Sequence, residues 1–228
     1  MLNKLFALFK KESPKKTDVS KNSKKPQRKR IEATRIGELG EHKINIQLDQ
    51  LPSDCKYLSD LLIPNLKSRS GYSQIDHLVI SPYGLFVIET KNYHGEIKGG
   101  RSDKYWSVNN RFKMYNPLLQ NYGHIKALQS NLGEFKTAKY ISMISFTMRC
   151  RFSIDPELRK IHSDELIVYD VELSEFMNRK MIRLKSELST PIFTHENIQL
   201  IFEKTNGINI TDPKVRAEHV AKAKIKNS

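Results

Sequence analysis

The 228-residue sequence has only two cysteines, one tryptophan and no apolar run long enough to predict a transmembrane helix. Cys55 and Cys150 lie far apart without metal-ligand spacing, which excludes a zinc ribbon. Two reduced thiols are expected, although a single disulfide stays open. The sequence shows no glycine-rich phosphate loop and no internal repeat. The opening segment lacks a charged leader and a small-residue cleavage site, so we expect a cytoplasmic protein.

Acidic residues are scarce relative to basic ones: 25 Asp and Glu stand against 39 Lys and Arg, giving a net charge of +14. Residues 1–30 hold eleven Lys or Arg and two acids, a charge of +9, which leaves +5 for residues 31–228. Apolar residues at helical spacing within residues 1–11 predict a short amphipathic helix. The charge favours an anionic partner, either nucleic acid or an acidic membrane surface reached through residues 1–30. A solvated arm without a partner is the alternative.

Residues 74–91 are organised as a predicted hairpin, with two apolar strands joined by the turn Ser-Pro-Tyr-Gly at 81–84. With that loop, the numbers of directly opposed residues sum to 165. Asp76 therefore faces Glu89, and Lys91 lies on the same face of the sheet because side chains alternate along a strand. Two carboxylates and an ammonium are predicted to meet at one place.

Opposed like charges inside an apolar hairpin repel each other, and a divalent cation would remove that repulsion. Mg²⁺ binds one or two carboxylates and keeps water ligands, which leaves room for a phosphate oxygen. Lys91 could then orient or deprotonate a water molecule, or neutralise charge on a phosphodiester. The alternative is an exposed sheet face on which Lys91 pairs with Glu89 and Asp76 is solvated.

An Asp, a turn and Glu-x-Lys resemble the PD-(D/E)xK nuclease core, and residues 35–150 resemble the nuclease-related domain, NERD. The matching segments are Gly37-Glu38-Leu39-Gly40-Glu41, Gln74-Ile75-Asp76-His77, Gly84 to Asn92, Gly95-Glu96-Ile97 with Trp106, and Asn116 to Gln120 with His124. The resemblance implies an α/β fold with a restriction-endonuclease-like core, that is, a mixed central β-sheet flanked by helices. It also implies a nuclease, and it places Glu41 beside the metal as a third acidic residue.

A helix is predicted over residues 116–135, with Asn116 as its cap. Gln120 and His124 share one face of it, four residues apart. Gln120 could bond a phosphate or a water molecule at the site. His124 could assist acid-base chemistry, but a lone helical histidine is more often a packed or surface residue.

Three further residues have mainly structural interpretations. Strand alternation turns His77 away from Asp76, Glu38 fits an exposed helical acid, and Trp106 fits a core position, with base stacking as its alternative. Residues 67–71 are expected to form a loop near the site. The other predicted elements are a helix over 33–51, strands over 56–66, 105–108, 139–148 and 166–169, a turn over 94–100, and helices over 173–184 and 194–204.

These patterns predict four segments: a basic arm (1–30), a NERD-like nuclease core (31–150), an α/β extension of the same domain (151–210) and a basic tail (211–228). The predicted function is hydrolysis of nucleic-acid phosphodiester bonds with Mg²⁺ or Mn²⁺, with DNA favoured over RNA. Asp76, Glu89 and Glu41 would hold the metal, and Lys91 and Gln120 would assist. The alternatives are a non-catalytic nucleic-acid-binding module and a peripheral module at the inner membrane surface. A homodimer is a further expectation.

Overall fold

The computed structural model describes residues 33–224, with side chains from residue 40 to residue 223. The expectations for residues 1–30 and for the Glu38 side chain lie outside the described residues. Within the described range there are five α-helices: α1 (Ala33–Leu48), α2 (Pro117–Asn131), α3 (Leu173–Glu187), α4 (His195–Gly207) and α5 (Pro213–Lys224). None of these described helices combines the length and apolar character that crossing a membrane requires.

The central sheet has five strands in the order β1 (Lys56–Pro64), β2 (Tyr72–Ser81), β3 (Gly84–Lys91), β7 (Tyr140–Phe146) and β9 (Glu165–Tyr169). The first three strands are antiparallel neighbours, whereas β3, β7 and β9 run parallel. This mixed sheet, with helices on both faces, confirms the predicted α/β class.

Two apolar layers cover the central sheet. On one face, α1 and α3 bury residues such as Ile44 and Met177 against Phe86 and Ile88. On the other face, α2 and α4 pack residues such as Leu128 against the β1–β2–β3 side of the sheet. Burial on both faces explains why β3 reads as a nearly continuous apolar run.

A second sheet has the order β6 (Phe112–Tyr115), β5 (Tyr105–Val108), β4 (Gly95–Gly99) and β8 (Cys150–Ile154). Asn109 and Asn110 join β5 to β6 with positive φ angles of 54°, as a tight hairpin turn requires. Trp106 is 1 % exposed, which confirms the core interpretation. Both cysteines are free thiols, so the disulfide alternative is wrong.

Two segments differ from their predictions. Gly95–Gly99 forms a strand rather than a turn, because it pairs in parallel with β8. Residues 211–228, expected as a basic tail, contain α5. This helix is attached to β1 through Arg216, whose guanidinium donates to both carboxylate oxygens of Asp60 at 3.0 Å.

Asp60 has a left-handed backbone conformation within β1, with φ at 49°. The β1–β2 ladder pairs Ser59 with His77 and Leu61 with Ile75, so Asp60 lies opposite Asp76. Its carboxylate also accepts a hydrogen bond from Gln74 at 3.1 Å.

Candidate active site

The register of the β2–β3 hairpin determines the site. The ladder includes the pairs Ile80–Leu85 and His77–Ile88, which confirms that opposed numbers sum to 165. Asp76 and Glu89 occupy the next positions, beyond the last pair. The backbone N–H of Thr90 donates to Oδ2 of Asp76 at 2.7 Å and thereby holds that carboxylate at the end of the hairpin.

Glu89 is the centre of a closed hydrogen-bond network and is 4 % exposed. Its Oε1 accepts from Nζ of Lys91 at 2.5 Å and from Nε2 of Gln120 at 2.7 Å. Lys91 also donates to Oε1 of Gln120 at 3.0 Å. On the other side, Nε2 of His124 lies 3.2 Å from Oε2 of Glu89. The hairpin and one face of α2 thus meet around a single carboxylate.

Burial and neighbouring positive charges have opposite effects on the pKa of Glu89. Burial raises the pKa of this carboxyl, but the Lys91 ammonium and His124 outweigh burial and lower the pKa to about 2. For Lys91, burial lowers the pKa, whereas the charges of Glu89 and Asp76 raise it above the ordinary value of 10.5. These shifts favour an ionised Glu89 and a protonated Lys91, so Lys91 in this arrangement is a hydrogen-bond donor.

Asp76 has the opposite electrostatic environment. Burial, followed by the charge of Glu89, raises its pKa well above the ordinary value of 3.8, and Glu41 on α1 adds to the rise. The Thr90 N–H and the Lys91 charge lower the pKa only in part. The ionised form of Asp76 is thus disfavoured here, and added positive charge would favour it.

Residues 36–147 match the family model described as nuclease-related domain, NERD. This part of the chain is a NERD domain. The predicted family resemblance is therefore confirmed, and the matched range contains all the predicted site residues: Glu41, Asp76, Glu89, Lys91 and Gln120.

An uncharacterized protein of Bacillus anthracis, pXO1-01, is 29 % identical over 191 residues, which cover 81 % of this chain and 82 % of that protein. The structure of Pyrococcus furiosus SfsA in complex with Ca²⁺ is 20 % identical and covers 67 % of this chain. The alignment spans 54 % of the SfsA chain, and its TM-score of 0.25 is too low to support a conclusion about the fold.

The acidic residues of the NERD domain suit a hard, oxygen-ligated cation. Asp76 and Glu89 supply two carboxylates, and Mg²⁺ commonly binds one or two of these and retains water. Burial and the charge of Glu89 raise the pKa of Asp76, and a cation bound there would offset that repulsion. Among the described residues, no group of three or more His, Cys, Asp or Glu side chains is arranged to hold a metal. The site therefore lacks the closed ligand set of a structural zinc centre.

Other residues of the NERD domain divide between the site and the core. His124 contacts Glu89 directly, although we predicted a functional role more strongly for Gln120. The signal for His124 in the sequence was its position four residues after Gln120, on the same face of the helix. Its Nδ1 lies 3.3 Å from Oγ of Ser73, which places both ring nitrogens in contact with the protein. His77 points to the opposite face and bonds Asn45 of α1 at 2.9 Å, as strand alternation predicts. Glu41 acts on Asp76 through its charge, and its role as a metal ligand stays a prediction.

Two neighbouring residues hold α2 in register with the sheet. Asn116 caps the helix by accepting from the N–H of Leu118 at 2.9 Å. Asn121, fully buried, donates to the carbonyl of Val87 and to Oγ of Ser142, both at 2.8 Å. These contacts fix the helix against β3 and β7, which brings Gln120 to Glu89 and Lys91.

Proposed function

We propose that the NERD domain hydrolyses phosphodiester bonds of nucleic acid, DNA in preference to RNA, with Mg²⁺ or Mn²⁺ as cofactor. The proposal rests on one observation: buried Glu89 accepts hydrogen bonds from Lys91 and Gln120, and Asp76 occupies the opposed position on the neighbouring strand. Two carboxylates and an ammonium at one sheet end form a suitable centre for a cation and a phosphate.

Asp76 and Glu89 would hold the cation. Once bound, a divalent cation supplies positive charge that polarises a phosphodiester for attack by water. Lys91 has three N–H donors, of which Glu89 and Gln120 accept two. Its third donor can bond a phosphate oxygen and stabilise the negative charge that develops there. In this proposal Lys91 stabilises charge on the phosphate or orients the attacking water.

Gln120 and His124 position the reacting groups. Gln120 donates to Glu89 and accepts from Lys91, so it keeps the carboxylate and the ammonium together. His124 contacts the other oxygen of Glu89 and restricts rotation of the carboxylate. Both residues are presented by α2, on the face that meets the hairpin.

A cleavage assay tests this function. We would compare linear, supercoiled and branched DNA with single-stranded RNA, in Mg²⁺, Mn²⁺ or EDTA, using wild type, Asp76→Asn and Lys91→Met. Lys98→Met is the matched control, because Lys98 pairs with Glu96 at the same i, i+2 spacing but on the surface, at 3.8 Å. We expect metal-dependent cleavage by wild type and the control, and a loss of about 10²-fold or more in the two site variants. Folded wild type that cleaves no substrate, or site variants as active as the control, would overturn the proposal.

A non-catalytic binding module is the second candidate. It is favoured by the fact that both oxygens of Glu89 are already bonded to side chains of the protein itself. Such a module would bind nucleic acid in EDTA and would show no change in melting temperature on Mg²⁺ titration. The membrane-surface alternative depends on residues 1–30, which lie outside the described structure.

A further inference from the structure

A groove of about 1180 Å³ lies between the loop after β1 and the outer surface of α2. Its walls include Leu66 and Lys67 from the loop, Leu119 and Lys126 from α2, and Lys136 beyond the helix. We call it the basic groove. Its volume exceeds the roughly 300–1,000 Å³ of pockets for small molecules, so it is large enough for a segment of a polymer.

The basic groove leads to the candidate active site through a shared side chain. Gln120 lines the groove, and the same side chain bonds Glu89 at 2.7 Å and Lys91 at 3.0 Å. A chain lying in the groove would therefore pass the ammonium of Lys91. Gln120 therefore belongs both to the groove and to the candidate active site.

The charge of the groove has a single sign. Lys67, Lys126 and Lys136 are exposed, and no Asp or Glu is among the described residues that line the groove. Within the described part of the chain, none of these lysines forms an ion pair with a carboxylate. Lys126 donates to Gln129 at 3.0 Å, a neutral partner. Three unneutralised ammonium groups along one groove suit a ligand that carries repeated negative charges.

The groove also presents apolar surface to solvent. Leu66 is 97 % exposed and Leu119 is 37 % exposed. The loop that carries Leu66 is ordered by its own hydrogen bonds: Asn65 N–H donates to the carbonyl of Gly71 at 2.7 Å, and Lys67 N–H donates to Oδ1 of Asn65 at 3.1 Å. These bonds order the loop backbone, which carries an apolar side chain and a positively charged one at adjacent positions.

We propose that the basic groove binds one unpaired strand of nucleic acid and leads it to Lys91, with Leu66 packed against a base. The strand's path rests on the function proposed above for the site at the end of the groove. An unpaired strand exposes base faces and phosphates together, which matches the alternation of apolar and ammonium groups. A duplex keeps its bases stacked inside and would offer mainly phosphates to the groove. Frayed ends, flaps and single-stranded segments are the substrates that this surface selects.

Fluorescence anisotropy in EDTA measures strand binding without cleavage. The ligands are labelled single-stranded DNA, single-stranded RNA and duplex DNA, and the protein is the full chain. The test variant is Leu66→Ala/Lys126→Ala. The matched control is Ile182→Ala/Lys185→Ala on α3, which removes an exposed aliphatic side chain and one lysine away from the groove. Both variants keep the basic arm, so its contribution to binding cancels, and melting curves verify that both are folded.

We expect the groove variant to bind single strands about tenfold more weakly than the control. The slope of log K against log salt should fall by about 0.7, the value for one phosphate contact on a single strand. Affinity for duplex should change much less. A loss of affinity for DNA alone, for RNA alone or for both shows which type of single strand the groove binds. Equal single-strand affinity in the two double variants, or an equal loss on duplex and single strand, would overturn the groove assignment.

The outcomes separate this assignment from the proposed function. If wild type cleaves nothing and the groove variant still loses single-strand binding selectively, the groove assignment holds and the proposed catalysis fails. If wild type cleaves and the groove variant binds and cleaves as the control does, the groove assignment fails and the catalysis stands.

Discussion

Asp76→Asn should stabilise the protein in the absence of metal while it abolishes activity. Burial and the neighbouring charge of Glu89 raise the pKa of Asp76 in the folded state above its ordinary value of 3.8. The folded state therefore binds a proton more tightly than the unfolded state does, and stability falls as pH rises above 3.8 towards the raised pKa. Asparagine is neutral at every pH and can still accept the hydrogen bond from Thr90 through its side-chain oxygen. It removes the repulsion and keeps the anchoring contact.

Each unit by which the pKa is raised corresponds to about 1.4 kcal/mol of stability lost at high pH. A domain of this size shifts its melting temperature by roughly 2–4 °C for each kcal/mol. The assay is thermal unfolding in EDTA, followed by circular dichroism at about pH 8 and about pH 4. We expect Asp76→Asn to melt at least roughly 2–4 °C above wild type at the higher pH, and the difference to shrink at the lower pH because wild-type Asp76 is then protonated.

Adding Mg²⁺ to the same melting experiment provides a second test of the electrostatic argument. A cation held by Asp76 and Glu89 should raise the melting temperature of wild type at about pH 8, by binding the folded state alone. The Asn variant should gain less, and Asp54→Asn, which removes an exposed carboxylate, should respond to Mg²⁺ as wild type does. An Asn variant that melts below wild type at both pH values would refute the electrostatic reasoning about Asp76.

Three further changes follow from the same structure. Lys91→Met should lower the free energy of unfolding by about 3–5 kcal/mol in urea titrations, since it leaves buried Glu89 without its ammonium partner. The double variant Glu89→Gln/Lys91→Met should recover much of that loss. Additive effects of the two substitutions would contradict a coupled pair. Gly99→Ala should destabilise the second sheet by about 1–3 kcal/mol, because a Cβ there would lie 2.2 Å from Cδ1 of buried Trp106; unchanged fluorescence of this single tryptophan would argue against it. Desolvation by burial raises the pKa of the two cysteine thiols to about 12 and about 11, so both should react with a thiol reagent at pH 8 only on unfolding; rapid labelling of the native protein would show the opposite.

The features predictable from sequence were those fixed by local rules. The turn at residues 81–84 and the strong apolar pattern of its flanks determine the β2–β3 register, and Asp76 and Glu89 follow from that register by counting. The start of α2 was also predictable, because Asn116 caps the helix and a proline follows. Helical spacing then placed Gln120 and His124 on one face.

The errors concern elements whose stability is not local. The segment Gly95–Gly99 has a glycine at each end and is followed by Gly100, which is the pattern of a turn. Its extended form depends on pairing with β8, more than fifty residues later. Helix α5 lacks a continuous apolar stripe, so periodicity gave no signal, although Asp212 before Pro213 is a recognisable helix start. The contact between His124 and Glu89 likewise needs the packing of α2 on the sheet.

Arg216 connects helix α5 to Asp60 of β1, the first strand of the central sheet. Asp60, Asp76 and Glu89 occupy facing positions on three successive strands, which lie about 5 Å apart. The guanidinium of Arg216 neutralises the first of these acids. Truncation before α5 would therefore leave the Asp60 carboxylate without this ion pair, one strand away from Asp76. A shortened chain would retain every residue of the matched NERD range and still lose the contact that attaches α5 to β1.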